Sequence, residues 1–187
     1  MKARFSQLMG AATVLAIAAP QPDANAGDIF LKLSNLPGDS TSTKHKDEIE
    51  IESFSMGQSR PFSLSGAVGT SASKPTFADV NVQGRLSSAS PKLALFCASG
   101  TLIPTATLSI QKATTGGKAE DYYQVTLTDV HVTSISTEAS DGNGRPLERF
   151  SLSFSKMLWV YKPSVADNKT SAADVKAVFD IAGSKSN

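Results

Sequence analysis

Lys44-His45-Lys46-Asp47-Glu48-Ile49-Glu50-Ile51-Glu52-Ser53-Phe54-Ser55-Met56-Gly57 is the stretch that decides the fold. Its middle alternates strictly, with Ile49 and Ile51 on one side and Glu48, Glu50 and Glu52 on the other. A period of two is that of a β-strand with one buried face and one wet face. After Ser53 the apolar positions move to Phe54 and Met56, so the inward face changes partway. A strand does this at a bulge or where it turns a barrel corner. The polar lead-in from Lys44 to Asp47 reads as an exposed loop feeding the strand.

Other segments repeat the pattern. Ile29, Leu31 and Leu33 alternate with Phe30, Lys32 and Ser34, and Leu36-Pro37-Gly38-Asp39 then turns the chain. A long polar loop, Gly38 to Asp47, leads back to the quoted strand; in a compact domain a loop of this length is usually either functional or mobile. A weak strand at Phe62 to Leu64 and another from Pro75 to Val82 follow. Ala106, Leu108 and Ile110 alternate, Thr114 to Lys118 forms a hairpin tip, and Tyr122 to Ile135 is a long strand. In that strand Val125 and Leu127 point one way and Val130 and Val132 the other, which predicts a bulge near Thr128-Asp129. Phe150, Leu152 and Phe154 alternate inward, and Met157-Leu158-Trp159-Val160-Tyr161 is apolar on both faces, so both are covered. Val175 to Ile181 is a last short strand. One helix stands among them, within Leu86 to Gly100, with Ser90 as N-cap, Pro91 at its first position and Gly100 closing it. Leu93, Phe96 and Cys97 share its apolar face, which covers an otherwise open surface.

These residues also carry a resemblance. Asp28 to Leu33, Gly38-Asp39-Ser40-Thr41, Lys44 to Ile51 and Ser53 to Gly57 are similar to the opening of the Hcp family, the inner-tube proteins of bacterial type VI secretion. Ser90-Pro91-Lys92-Leu93 with Cys97 and Gly100, Asp129 to Ile135, and Glu148, Ser151-Leu152 and Trp159-x-Tyr161 extend it in the same order. The resemblance implies a mostly β fold, a barrel of two antiparallel sheets with one short helix. It implies a six-membered ring of identical copies, stacking into a tube, with secretion-apparatus or effector proteins as further partners. By resemblance alone, the 38–47 loop is the contact between rings, and Asp39, Ser40, Lys44, His45 and Lys46 are its candidate residues.

The ends and the composition bound the rest. Lys2 and Arg4, an apolar run from Leu8 to Ala19, and Ala24-Asn25-Ala26 read as a secretory signal over residues 1–26, leaving a single domain over 27–187. Such a signal is a departure from that family and implies a periplasmic or secreted product. Removing it takes away Lys2, Arg4 and Asp23, so the net charge falls from +1 to 0. A neutral surface argues against nucleic acid or membrane partners and for function by shape.

Chemistry is sparse. The lone Cys97 reads as a small buried apolar residue without a disulfide or thiolate metal site. His45, alone between two lysines, reads as solvent-exposed or capping, and His131 as surface. The three glutamates of the quoted strand read as a solvated face. As a paired set they would support a cell-wall hydrolase, but such pairs come from facing strands with one carboxyl raised by burial. Asp141 and Asn143 lack the remaining calcium-loop ligands, Gly66 and Gly69 form no phosphate loop, and Asn168 begins a glycosylation triplet that a bacterial chain would not use. No catalytic, cofactor or metal residue is assigned. A tube or ring subunit is the leading expectation, a stand-alone periplasmic carrier of small proteins the second.

Overall fold

The structure, a computed structural model, describes residues 28–63, 71–72, 74–113, 119–139, 144–163, 173–183 and 185–186. The proposed signal, the 114–118 hairpin tip, Gly66 and Gly69, Asp141 and Asn143, and the Asn168 triplet lie outside them.

The elements run β1 (Ile29–Leu33), β2 (Ile49–Ser55), β3 (Gln58–Ser59), β4 (Phe62–Ser63), β5 (Ser71–Ala72), β6 (Thr76–Phe77), β7 (Val80–Arg85), α1 (Ser90–Ser99), β8 (Ile103–Ala113), β9 (Ala119–Glu138), β10 (Leu147–Ser153), β11 (Lys156–Tyr161), β12 (Val175–Asp180) and β13 (Lys185–Ser186). The antiparallel order β10-β7-β2-β1-β8-β9 closes on itself through a β9–β10 pairing. Six strands thus form a barrel, and closure removes the free edges an open sheet would expose. β11, β12 and β13 extend outward from β9. The expected strand over 75–82 is divided into β6 and β7.

Both predicted changes of face are present. In β2 the register shifts between Ile51 and Ser53 against Gly84 and Gln83 of β7, which leaves Glu52 as the extra residue. Ile49 and Ile51 are buried before it, and Phe54 and Met56 pack against the core after it. In β9 the change falls at Asp129, whose φ is 51°. Residues before it pair with β11 and residues after it pair with β10 along the same edge. One 20-residue strand therefore serves both the barrel wall and the outer extension.

Leu31, Ile103, Val125, Val130, Leu152 and Met157 fill the interior, and Leu93 of α1 is fully buried with them. The helix starts one residue earlier than expected. Ala89 is the N-cap without a side-chain cap bond, and Gly100 ends the helix at φ 65° with its N–H on the Phe96 carbonyl. Ser90 is not the cap because its hydroxyl is used elsewhere: it donates to Glu148 Oε2 at 2.9 Å and accepts the Ser87 N–H. Cys97 is half-buried against the core, a shallower place than a fully buried residue would have. His131 is exposed, as its alternation indicated.

Candidate functional site

The 38–47 loop is not a free excursion. Its backbone folds against the start of β2: the Gly38 N–H bonds Asp47 O at 2.9 Å, the Ser40 N–H bonds Glu48 O at 3.0 Å, and the Asp47 N–H bonds Ser40 O at 3.0 Å. Gly38 permits this closeness, since a Cβ there would collide with the Glu48 carbonyl. Asp47 takes a φ of 60°, which lets the chain reverse into β2.

Side chains tie down both ends. At the first end, Asp39 Oδ2 accepts the Ser88 N–H at 3.1 Å and an Arg145 Nη2–H at 3.3 Å. Hydrogen bonding from Ser88, with the Arg145 guanidinium beside it, holds the Asp39 carboxyl below the usual carboxylate range. Arg145 also donates to Leu86 O, and Arg85 donates to Arg145 O at 2.7 Å while pairing with Glu52. The loop, the turn before α1 and the lead-in to β10 are thereby joined.

At the second end lies His45, and here the expectation of an exposed or capping histidine is corrected. His45 is only 4% exposed. Its ring stacks on Phe30 with centroids 4.4 Å apart and planes 9° apart. Nδ1 lies 2.9 Å from Glu48 Oε2 and Nε2 lies 2.8 Å from Asp121 Oδ1. Gln111 Nε2 donates to the same Asp121 oxygen at 2.9 Å, and Lys44 Nζ sits 3.2 Å from Asp121 Oδ2. Burial works to raise the Asp121 pKa, but the hydrogen bonds from Gln111, His45 and Lys44 outweigh it and hold the carboxyl below its ordinary value. The physical reason for the correction is pairing: a polar ring is buried when both nitrogens have partners.

The five candidate residues thus divide. Asp39, Lys44 and Lys46 face solvent, while Ser40 and His45 are buried beneath them. Glu50 and Glu52 lie on the wet face as read, but Glu48 is turned in to His45. Beside the loop is an open cleft of about 560 Å³, walled by Asp28, Asp39, Glu50, Glu52, Arg85 and Arg145. Its two arginines are each engaged by a carboxylate, Glu52 and Asp39. Among the described residues no group of three or more His, Cys, Asp or Glu is placed to hold a metal ion, and no helix is long and apolar enough to cross a membrane.

Two buried carboxylates escaped the sequence reading. Asp121 and Glu148 occupy the inward alternation, Asp121 with Val125 and Leu127, Glu148 with Phe150 and Leu152. A carboxylate in an apolar register was the available signal.

Residues 30–161 match the family described as "Type VI secretion system effector, Hcp". The chain belongs to the Hcp family. Protein hcp1 of Pseudomonas aeruginosa is 32% identical over 157 residues, 83% of this chain and 96% of that protein. Among solved structures, a type six secretion system protein superposes with a TM-score of 0.78 at 26% identity, covering 87% of this chain and 100% of the other. Hcp1 from Salmonella typhimurium gives 0.71 at 28% identity, covering 86% and 99%. The closed six-stranded barrel with one short helix is the Hcp fold, and the chain is a type VI secretion protein of that family.

Proposed function

We propose that six copies of this chain close into a ring, that rings stack into a tube, and that the protein works by this assembly and not by catalysis. The observation that carries the reading is the Hcp match across residues 30–161, which takes in all of the barrel's closed wall but Ile29. A heterologous interface, one face of a subunit against a different face of its neighbour, closes into a ring when the rotation permits. The near-zero net charge of the mature chain suits close packing of identical subunits. The exposed residues Asp39, Lys44 and Lys46 supply the ring-to-ring contact, with Ser40 and His45 acting from below by holding the loop's shape. Reversing one of these charges, Lys46→Glu, tests the contact by sedimentation: rings persist and stacks are lost. Stacking equal to that of the unaltered protein removes the loop from this role.

The basic start, apolar run and Ala24-Asn25-Ala26 of the N-terminal segment favour a second reading of the route. Residues 1–26 direct export, and the ring serves outside the cytoplasm as a carrier of small proteins. Deleting the type VI apparatus separates the two. Continued export with cleavage after Ala26 supports the carrier, and loss of export supports the tube.

A further inference from the structure

His45 is the one ring in the described residues with carboxylate oxygens at hydrogen-bond distance from both nitrogens. Asp121 is an acceptor here. Its Oδ1 receives Gln111, and its Oδ2 faces Lys44 Nζ and, at 3.4 Å, Gln124 Nε2. The bond at 2.8 Å therefore has Nε2–H as donor. Glu48, when ionised, can likewise only accept, so the contact at 2.9 Å requires an Nδ1–H. Two donating nitrogens mean an imidazolium. Counting charges, Lys44 and His45 then balance Glu48 and Asp121.

A neutral ring breaks this arrangement. It has one N–H, so one nitrogen lone pair would face a carboxylate oxygen, and the buried cluster would carry an uncompensated negative charge. The proton leaves to solvent, and Glu48, whose side chain is partly exposed, swings out to water. Among the other neighbours, Phe30 of β1 stacks on the ring and Gln111 of β8 is neutral, while Lys112, Glu120, Lys162 and Asp174 share a cleft with Lys44 and Asp121.

We propose that His45, clasped between Glu48 of the loop's end and Asp121 of β9, is a proton-dependent latch that sets the 38–47 loop. With the proton in place the loop is fixed to the barrel wall; without it the loop loosens while the barrel stays folded. Its bearing on assembly rests on the reading of this loop as the ring-to-ring contact.

The test is amide hydrogen exchange on the unstacked protein from about pH 6 to 9, corrected for intrinsic rates, with ring ¹⁵N spectra of His45. The amides of Ser40 and Asp47, bonded across the loop's base, report the latch. The spectra should show both nitrogens protonated at the lower end. Protection of these two amides should then fall by up to about tenfold per pH unit as the proton is lost, the limit for one linked proton. The Val125 amide in the core should stay better protected than these two at every pH, because it exchanges only when the whole barrel opens. In Asp121→Asn an amide can donate to a neutral ring, so the pH dependence should flatten. A neutral ring over the whole range, loop protection that does not change with pH, loop protection equal to that of Val125 at every pH, or an unaltered dependence in Asp121→Asn overturns the latch. Sedimentation of the same samples reads stacking separately, so rings that never stack count against the contact reading alone.

Discussion

His45 and Glu148 show what buried charge does in this barrel. His45 stands between two carboxylates, so His45→Ala leaves Glu48 and Asp121 without their shared partner and Phe30 without its stacking ring. Breaking a buried pair from one side costs about 3–5 kcal/mol. A urea melt of His45→Ala should give an unfolding free energy lower by that order, with an earlier midpoint, and an unchanged midpoint contradicts the pairing. Glu148 is the opposite case. It is 4% exposed, and burial pushes its carboxyl above the ordinary value against the opposing bond from Ser90. The folded state thus holds the proton more tightly than the unfolded chain does. That contribution is complete below the unfolded pKa and lost as pH rises through the raised folded value. Glu148→Gln keeps an acceptor for Ser90 without the ionisation. Its stability should therefore gain on that of the unaltered protein as pH rises above about 4. Melts across pH decide this, and parallel curves exclude it.

Among the elements, the closure of the 38–47 loop depends on one backbone approach. A Cβ at Gly38 meets the Glu48 carbonyl, which is backbone and cannot give way cheaply. Gly38→Ala should cost about 2 kcal/mol or more through the displaced Ser40 and Asp47 bonds, with the loss concentrated in loop amide protection. The sequence was informative where alternation is regular. The switch of face in β2 was legible from Ile51 and Phe54, and the corner of β9 from Leu127 and Val130, because period two records which side each residue faces. It was uninformative where a side chain is satisfied across the fold. His45 meets Asp121 across 76 positions and Ser90 meets Glu148 across 58, and no local pattern records such a pairing. Phe30 reads as outward on β1 yet is buried, because the His45 ring covers it. Ser90 looks like a helix cap for the same reason that His45 looks exposed: its true partner lies far along the chain.

At the scale of the whole molecule, closing six strands through β9 and β10 satisfies the barrel's own edges. What is left for partners is the loop surface, the outer strands and scattered apolar side chains. Leu95, Leu102, Tyr161 and Val175 are the large hydrophobic residues left exposed among those described, with Leu95 at 60%. The proposed ring would be held by contacts between copies of this chain made from these surfaces. The direct measurement is the mass of the purified, exported protein in solution at high concentration, by native mass spectrometry. The expected result is a particle of six chains, each beginning at Gly27; a strictly monomeric species at every concentration contradicts the proposed ring.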